Sequence, residues 1–520
     1  MTERLARASS RRPGRVIALW ALVLLASLPA IGMFLGDVLT TDVETTSRTE
    51  SRRADELLAR AFPESRTQQE RDITEVVVVR ATRDGIDAPA AAQRVDALAD
   101  ELRAAGASAV VTAVDGEPLV SRNGDARAVL VGLGFDGEDD VSDVYDVVQR
   151  LDDEPGYRAG ITGEVTSDED QGELSTEDLR TGELFFGLPT ALVILVLVFG
   201  GVVAGLVPLA LAIVSILVAL ALAALVGQAF ELSLYTVNML SGMGLALGTD
   251  YSLFILSRYR EERRRDRQPR DAIAATGATA SRAVLFSGMT FVLAMLGLLL
   301  VPNTIFRSLA TGAILVGIVS VIAALTLLPA LLALLGDRLD SLSIPGIGRA
   351  ARRAGTEGRH WGRVVRGVMR RPVVSLVLAG GLLLALAVPA ASLDTGSQGA
   401  SALPDRFESK QGFLLLADEF PGQTTDPVEI AVAGDTSSPE LDSRVERLEA
   451  ELAERPIFGE PAPEMSGDGH VERLTVPVAG DPVSERAIGA VRELREDVIP
   501  STFAGVGVIP VEWWKHSRSA

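Results

Sequence analysis

Asp250 and Tyr251 stand side by side in "GLALGTDYSLFILSRYREE", residues 244–262, inside an otherwise apolar run. A carboxyl and a phenol in that setting suit the binding and passing on of a proton. A charge at mid-membrane costs roughly 2.5–3.5 kcal/mol on insertion scales, so such a residue usually faces protein, water or a partner group. Desolvation also disfavours the charged form of a carboxyl, which brings protonation within reach of ordinary pH. Asp250 lies eight residues before Arg258, the end of the apolar run. That is about 12 Å along a helix, too far for an Asp side chain to snorkel. The competing reading is a permanently protonated Asp that only hydrogen-bonds neighbouring helices. Gly244 and Gly248, one turn apart and extended by Gly242, make a small-residue face that admits another helix at close range.

No other chemistry competes. The chain has no cysteine, and its three histidines (His360, His470 and His516) are too scattered for a zinc site. No phosphate loop or nucleophile–base pair is present. We therefore expect no metal, no cofactor, no nucleic-acid partner and no enzymatic activity.

The elements that position Asp250 are membrane spans. Seven apolar runs are long enough to cross a bilayer, at about 16–34, 184–203, 206–227, 233–257, 283–301, 308–336 and 373–392. Asp250 is the only Asp, Glu, Lys, Arg or His well inside any of them. Arginines cluster in residues 1–15, 258–282 and 337–372, which hold 22 Arg against 8 Asp and Glu. That surplus of 14 leaves −34 for the rest of a chain whose net charge is −20. The positive-inside rule puts these three segments in the cytoplasm and the acidic stretches 35–182 and 393–520 outside. The first run is longer than a signal-peptide core and lacks a convincing small-x-small cleavage site, so it reads as an uncleaved anchor.

A long-period repeat follows from "RRPGRVIALWALVLLASLPA" at Arg11 and "RRPVVSLVLAGGLLLALAVPA" at Arg370. Each precedes a second similar stretch, "ESRRADELLARAFP" from Glu50 and "ESKQGFLLLADEFP" from Glu408, which implies a duplication. Both external segments then read β-α-β-β-α-β, a ferredoxin-like order. In the first, strands fall on "ITEVVVVRA", "SAVVTAV", "ARAVLVGLGF" and "YRAGITG", with helices at 88–105 and 141–152. The second has "PVEIAVAG", a helix carrying Leu441, Val445, Leu448 and Leu452, "HVERLTVPVAG", a helix near 483–498 and "FAGVGVI". One of its strands, near 457–465, is poorly marked.

With span 4 in view, and with "FRSLATGAILVGIVSVIAALTLLPALLALLG" on span 6, the chain resembles the MMPL-type transporters of the resistance-nodulation-division superfamily. The resemblance reaches to about residue 507. It implies proton-driven export of lipids or other hydrophobic molecules across the cytoplasmic membrane. It also implies that Asp250 and Tyr251 form one side of a relay whose other side is a matching Asp-Tyr pair in a second half. Copy two ends in "AGVGVIPVEWWKHSRSA" without a second five-span block of roughly 170 residues, judged from copy one. The sequence thus predicts a truncated member, through a frameshift, early stop or incomplete gene model. Such a chain transports only if two copies or a separately encoded second half assemble. The alternative is a non-transporting remnant, or a scaffold that binds a partner transporter or lipid enzyme.

The expected protein is an α-helical polytopic membrane protein with two extracytoplasmic α+β porter domains. Its segments are 1–15 (cytoplasmic), 16–34 (span 1), 35–182 (first porter domain), 183–336 (five-span bundle), 337–372 (cytoplasmic loop), 373–392 (span 7), 393–507 (second porter domain) and 508–520 (atypical tail). In the cytoplasmic loop, Arg352, Arg353, Arg363 and Arg366 interleave with Trp361, Val364, Val365 and Val368, a pattern suited to anionic lipid. Membrane lipids and a hydrophobic substrate are the expected partners, and the plasma membrane the expected location.

Overall fold

The computed structural model describes residues 1–520 apart from 41–49, 63–73, 83–84, 115–116, 122, 134–140, 231, 342–358, 393–399, 421–426, 435, 437, 480–483 and 504–520. The chain divides into two compact units, one of residues 1–47 and 174–393, the other of 48–173 and 394–520.

The first unit is helical. Among the described residues, seven helices are long and apolar enough to cross a membrane: Pro13–Phe34, Glu164–Phe199, Val202–Gly227, Tyr235–Arg264, Pro269–Leu298, Thr304–Leu339 and Pro372–Ala391. We call them spans 1 to 7. Spans 3, 4 and 6 form the centre, joined by an apolar cluster that includes Leu211, Ile255, Leu256, Tyr259 and Leu328. Trp20 of span 1 donates its indole N–H to the Thr326 hydroxyl of span 6 at 3.1 Å. An N-terminal helix, Thr2–Arg11, buries Thr2, Ala6, Ser9 and Ser10. A Cβ on Gly277 would come within 2.7 Å of Ala6, so this helix and the start of span 5 meet nearly backbone to backbone. Within residues 1–15, then, the chain is an ordered helix packed on the bundle as well as a basic flank.

The second unit holds two sheets. In its first half, helix α1 spans Glu50–Ala61, strand β1 Glu75–Ala81, helix α2 Pro89–Ala104 and strand β2 Ala109–Val111. Strand β3 follows at Glu117–Val120, β4 at Ala126–Gly132, helix α3 at Val141–Asp152 and strand β5 at Tyr157–Gly163. Helix α4, Glu164–Asp178, runs on into span 2. Strand β1 pairs antiparallel with β4 on one side and β5 on the other. Both β2 and β3 pair with β4. Alternate residues of β1 (Val77, Val79 and Ala81) join Leu98, Leu102, Val147 and Leu151 of α2 and α3 in one core, as a half-buried strand requires.

The other half repeats much of this. Helix α5 spans Glu408–Glu419, strand β6 Val428–Ala433, helix α6 Pro439–Ala453, strand β7 Ala462–Met465, strand β8 Val471–Val476 and helix α7 Glu485–Glu493. The antiparallel order is β7-β8-β6. Val445, Leu448 and Leu452 of α6 pack with Ile430 and Leu474. The closing "FAGVGVI" strand and the atypical tail lie almost wholly outside the described residues.

The two opening helices are exchanged. Ala54 and Leu58 of α1 pack on Ala431 and Val471 of the second sheet. Leu416 of α5 and the adjoining Phe420 pack on Val78, Ala126 and Ala128 of the first. At that crossing a Cβ on Gly412 would lie 2.1 Å from the Ile161 carbonyl oxygen, and one on Gly160 would lie 2.7 Å from the Gly412 Cα. Glycine is required there by space. Gly412→Ala is expected to cost about 1–3 kcal/mol, the usual range for overpacking, and to lower the unfolding midpoint in detergent. Gly467→Ala, with nothing within 4 Å of the added carbon, is the control and should leave it unchanged.

Candidate functional site

Span 4 places the Asp-Tyr pair. Its buried side carries Leu240, Gly244, Gly248, Tyr251, Ile255 and Tyr259, spaced three or four residues apart as one helix face. Gly244 and Gly248 allow close packing: added Cβ atoms would meet Ile216 and Val316 at 2.4 and 2.9 Å, or the Ala212 Cα at 2.5 Å. Spans 3 and 6 therefore press on this seam. Gly242 belongs to another side, where its neighbour is the Glu183 carboxylate of span 2 at 3.1 Å. It does not extend the seam.

Tyr251 and Asp250 diverge. Tyr251 is 7% exposed, and its hydroxyl pairs with Ser287 of span 5. The adjoining Gly288 makes room for Val321 of span 6, since a Cβ there would sit 2.2 Å from that side chain. Asp250, about 100° further round the helix, lies on an exposed stripe with Ala246, Phe254 and Ser257. Among the described residues no lysine, arginine or histidine is ion-paired with it. The phenol is thus held in the bundle, and the carboxyl beside it faces outward.

Sequence reading missed three contributors. Ser287 and Gly288 carry no signal beyond being small residues within an apolar run. Glu183 sits just before the apolar part of span 2, in a stretch of wider π-helical turns, Leu179–Gly187. Such turns often mark functional positions. Glu183 adjoins Gly242, and Gly242, Ala246 and Asp250 recur every four residues. A second carboxyl therefore stands at one end of the Asp250 stripe, about 12 Å along the helix axis. Asn238, one turn before Gly242, donates to the Ser175 hydroxyl at 2.9 Å and fastens spans 2 and 4 above this point.

The arginine-rich segment continues the helix to Arg264. Arg258, Arg265 and Arg267 surround the buried carboxylate of Glu262 at 2.7, 3.1 and 3.1 Å. Arg260 donates to the Phe199 carbonyl at 2.8 Å and lies over the Phe199 ring. Arg263 pairs with Asp337 at 2.5 Å. These contacts explain why the helix outlasts its apolar run by seven residues. Of the arginines expected at lipid, Arg352 and Arg353 lie outside the described residues, while Arg363 and Arg366 lie on a helix, Arg359–Arg370.

A model of the MMPL family matches residues 45–375, well over half of the chain. The chain belongs to the MMPL family. Among curated relatives of this MMPL chain, a membrane protein of Streptomyces coelicolor is 34% identical over 451 residues, covering 85% of the chain and 61% of that protein. The heme uptake protein MmpL11 of Mycobacterium tuberculosis is 31% identical over 373 residues, 68% of the chain and 38% of that protein. The mycolic acid-containing lipids exporter MmpL11 of Mycolicibacterium smegmatis is 31% identical over 331 residues, 63% of the chain and 34% of that protein. The chain thus spans about three fifths of the first relative and about a third of the others. Members of the family are transporters, not enzymes, and no metal-binding cluster occurs among the described residues.

Proposed function

We propose that this MMPL chain carries one side of a proton-coupled exporter for lipids or other hydrophobic molecules in the plasma membrane. The observation that carries the reading is the split Asp-Tyr pair: Tyr251 bonded into the bundle, Asp250 beside it on an open stripe of span 4. A carboxyl so placed can receive a proton from whatever covers the stripe and return it. The printed names of two relatives, one a lipid exporter and one a heme uptake protein, agree on hydrophobic cargo and differ in direction. We take export as the direction because it is the activity that the motif resemblance implies.

Self-assembly over this stripe is directly testable. The chain has no cysteine. In membranes, a single cysteine at Ala246 or Phe254 should form a disulfide-linked dimer if a second copy covers the stripe. Monomer alone at both positions, with oxidant present, would exclude a two-fold contact there.

The antiparallel strand order β5-β1-β4-β3 and the helices on one face support a ferredoxin-like reading of the first porter domain. The matching β6, α6, β7, β8 and α7 support duplication. Topology follows from charge, with a cytoplasmic N-terminus and the porter domains outside. Cysteines at Ser167 and Ser443 should react with an impermeant maleimide in intact cells, and cysteines at Ala8 and Thr356 should not. Ala8 is exposed on the N-terminal helix, whereas Ser10 is 3% exposed and would be a poor reporter. Labelling at position 356 in intact cells would reverse the assignment.

A further inference from the structure

The helix Arg359–Arg370 leads through Arg371 directly into span 7 at Pro372. At 100° per residue, Arg359, Arg363, Arg366 and Arg370 fall within a stripe about 60° wide. Trp361, Val364, Val365 and Val368 fall directly opposite, within about 100°. The flanks hold His360, Gly362, Gly367 and Met369, and the helix contains no acidic residue. A flank that serves only to orient a membrane span has no need of phase, because the charge rule counts residues and ignores their position around a helix. Here every arginine of the helix is in phase with the others and out of phase with Trp361 and the three valines.

The apolar side is bare. Val364, Val365 and Val368 are 52%, 56% and 45% exposed. Arg363, Arg366 and Arg370 are exposed as well. Continuity with span 7 fixes the level of this helix at the membrane surface, where the lower side of a surface helix meets acyl chains and its upper side meets headgroups.

We infer that Arg359–Arg370 is a docking helix for anionic phospholipid, seated in the leaflet that span 7 enters. Its valines insert below the headgroups while Arg359, Arg363, Arg366 and Arg370 bind their phosphates. Charge complementarity selects this occupant: four cations with no internal counter-charge match an anionic lipid surface, while the narrow apolar stripe alone gives a weak hold. The inference stands apart from proton coupling, since it uses no residue of span 4.

The test uses the full chain in lipid nanodiscs with Val365→Cys as the single thiol, carrying an environment-sensitive fluorophore. Collisional quenching by spin-labelled lipid reports insertion. Quenching should be roughly twofold stronger or more with phosphatidylglycerol present than in phosphatidylcholine alone. Salt at about 0.5 M should remove the difference, because screening shortens the reach of surface charge. The variant Arg363→Gln/Arg366→Gln/Arg370→Gln should remove it too. The lipid and salt comparisons keep all the arginines in place, so they hold even if that variant folds poorly. Equal quenching in both lipids would show insertion by apolar contact alone and overturn the anionic site. Absence of quenching in both would overturn the docking altogether.

Discussion

Export of hydrophobic cargo by cells whose chromosomal copy carries Asp250→Asn is expected to fall to the level of a deletion strain, with the protein still made and inserted. Asparagine keeps the size and much of the hydrogen bonding of the carboxyl and cannot exchange a proton. It therefore separates coupling from packing. Asp250 contributes little packing to lose, since it lies on the exposed stripe with Ala246 and Phe254. Tyr251→Phe should weaken export roughly five- to tenfold, the equivalent of about 1 kcal/mol for one hydrogen bond, here the one to Ser287. Asp250→Leu should leave the unfolding midpoint in detergent unchanged or raise it, because it removes an acid from an apolar helix. Unfolding of both the Asn and Leu variants would assign Asp250 a structural role instead.

The second large effect lies in the porter unit. Glu75, the first residue of β1, is 1% exposed. Its carboxyl accepts the Val165 N–H at 2.8 Å, sits 3.4 Å from the Thr166 N–H, and hydrogen-bonds the Thr166 hydroxyl. It thus caps the N-terminus of α4, the helix that runs on into span 2. Gly163 provides the room, since a Cβ there would lie 2.5 Å from the carboxyl carbon. Burial pushes the Glu75 carboxyl up from 4.5 to about 8, against the lowering effect of these hydrogen bonds, with Glu164 adding repulsion. The sign follows from linkage. Between pH 4.5 and about 8 the unfolded chain has released this proton and the folded chain retains it, so stability falls as pH rises. Glu75→Gln, which keeps a buried neutral cap, should match wild type near pH 5 and exceed it near pH 8 by on the order of 4 kcal/mol. Unfolding midpoints at the two pH values, measured for both proteins, check this. A wild-type advantage at pH 8 would mean that the cap works as a buried anion.

The same network shows what the sequence hid. Helix α4, "EVTSDEDQGELSTED", has no apolar period to read. Its inward side is polar: Thr166, Asp170 and Ser175 are 0%, 2% and 7% exposed. Asp170 accepts the Tyr145 hydroxyl at 3.0 Å and the Ser409 N–H at 2.9 Å, so hydrogen bonds to α3 and α5 hold α4 in place of apolar burial. Strand β3 escaped for a related reason. Its Glu117 and Pro118 are exposed, and Leu119 and Val120 are only partly buried. By contrast, "EVVVVRA" and "YRAGITG" were legible because their runs of β-branched and small apolar residues suit buried strand positions.

At the candidate site, the residue types were legible and their partners were not. The apolar run announced span 4, and the glycine spacing announced a close seam, which the contacts of Gly244 and Gly248 match. Ser287 reaches Tyr251, and Glu183 the far end of the Asp250 stripe, only through the packing of spans 2 and 5 on span 4. A one-dimensional pattern has no record of that packing. The exchange of α1 and α5 is similarly silent: their matched sequences predict a helix in each copy and leave open which sheet each one covers.

The central claim is that Asp250 takes up and releases a proton within the membrane. Dicyclohexylcarbodiimide reacts with protonated carboxyls in apolar surroundings, and mass spectrometry locates the adduct. In membranes of the wild-type chain Asp250 should carry the adduct, and the labelled protein should lose export, with Asp250→Asn as the blank. Absence of the adduct at Asp250, or export that survives complete labelling, would contradict proton exchange and leave the residue with a structural role alone.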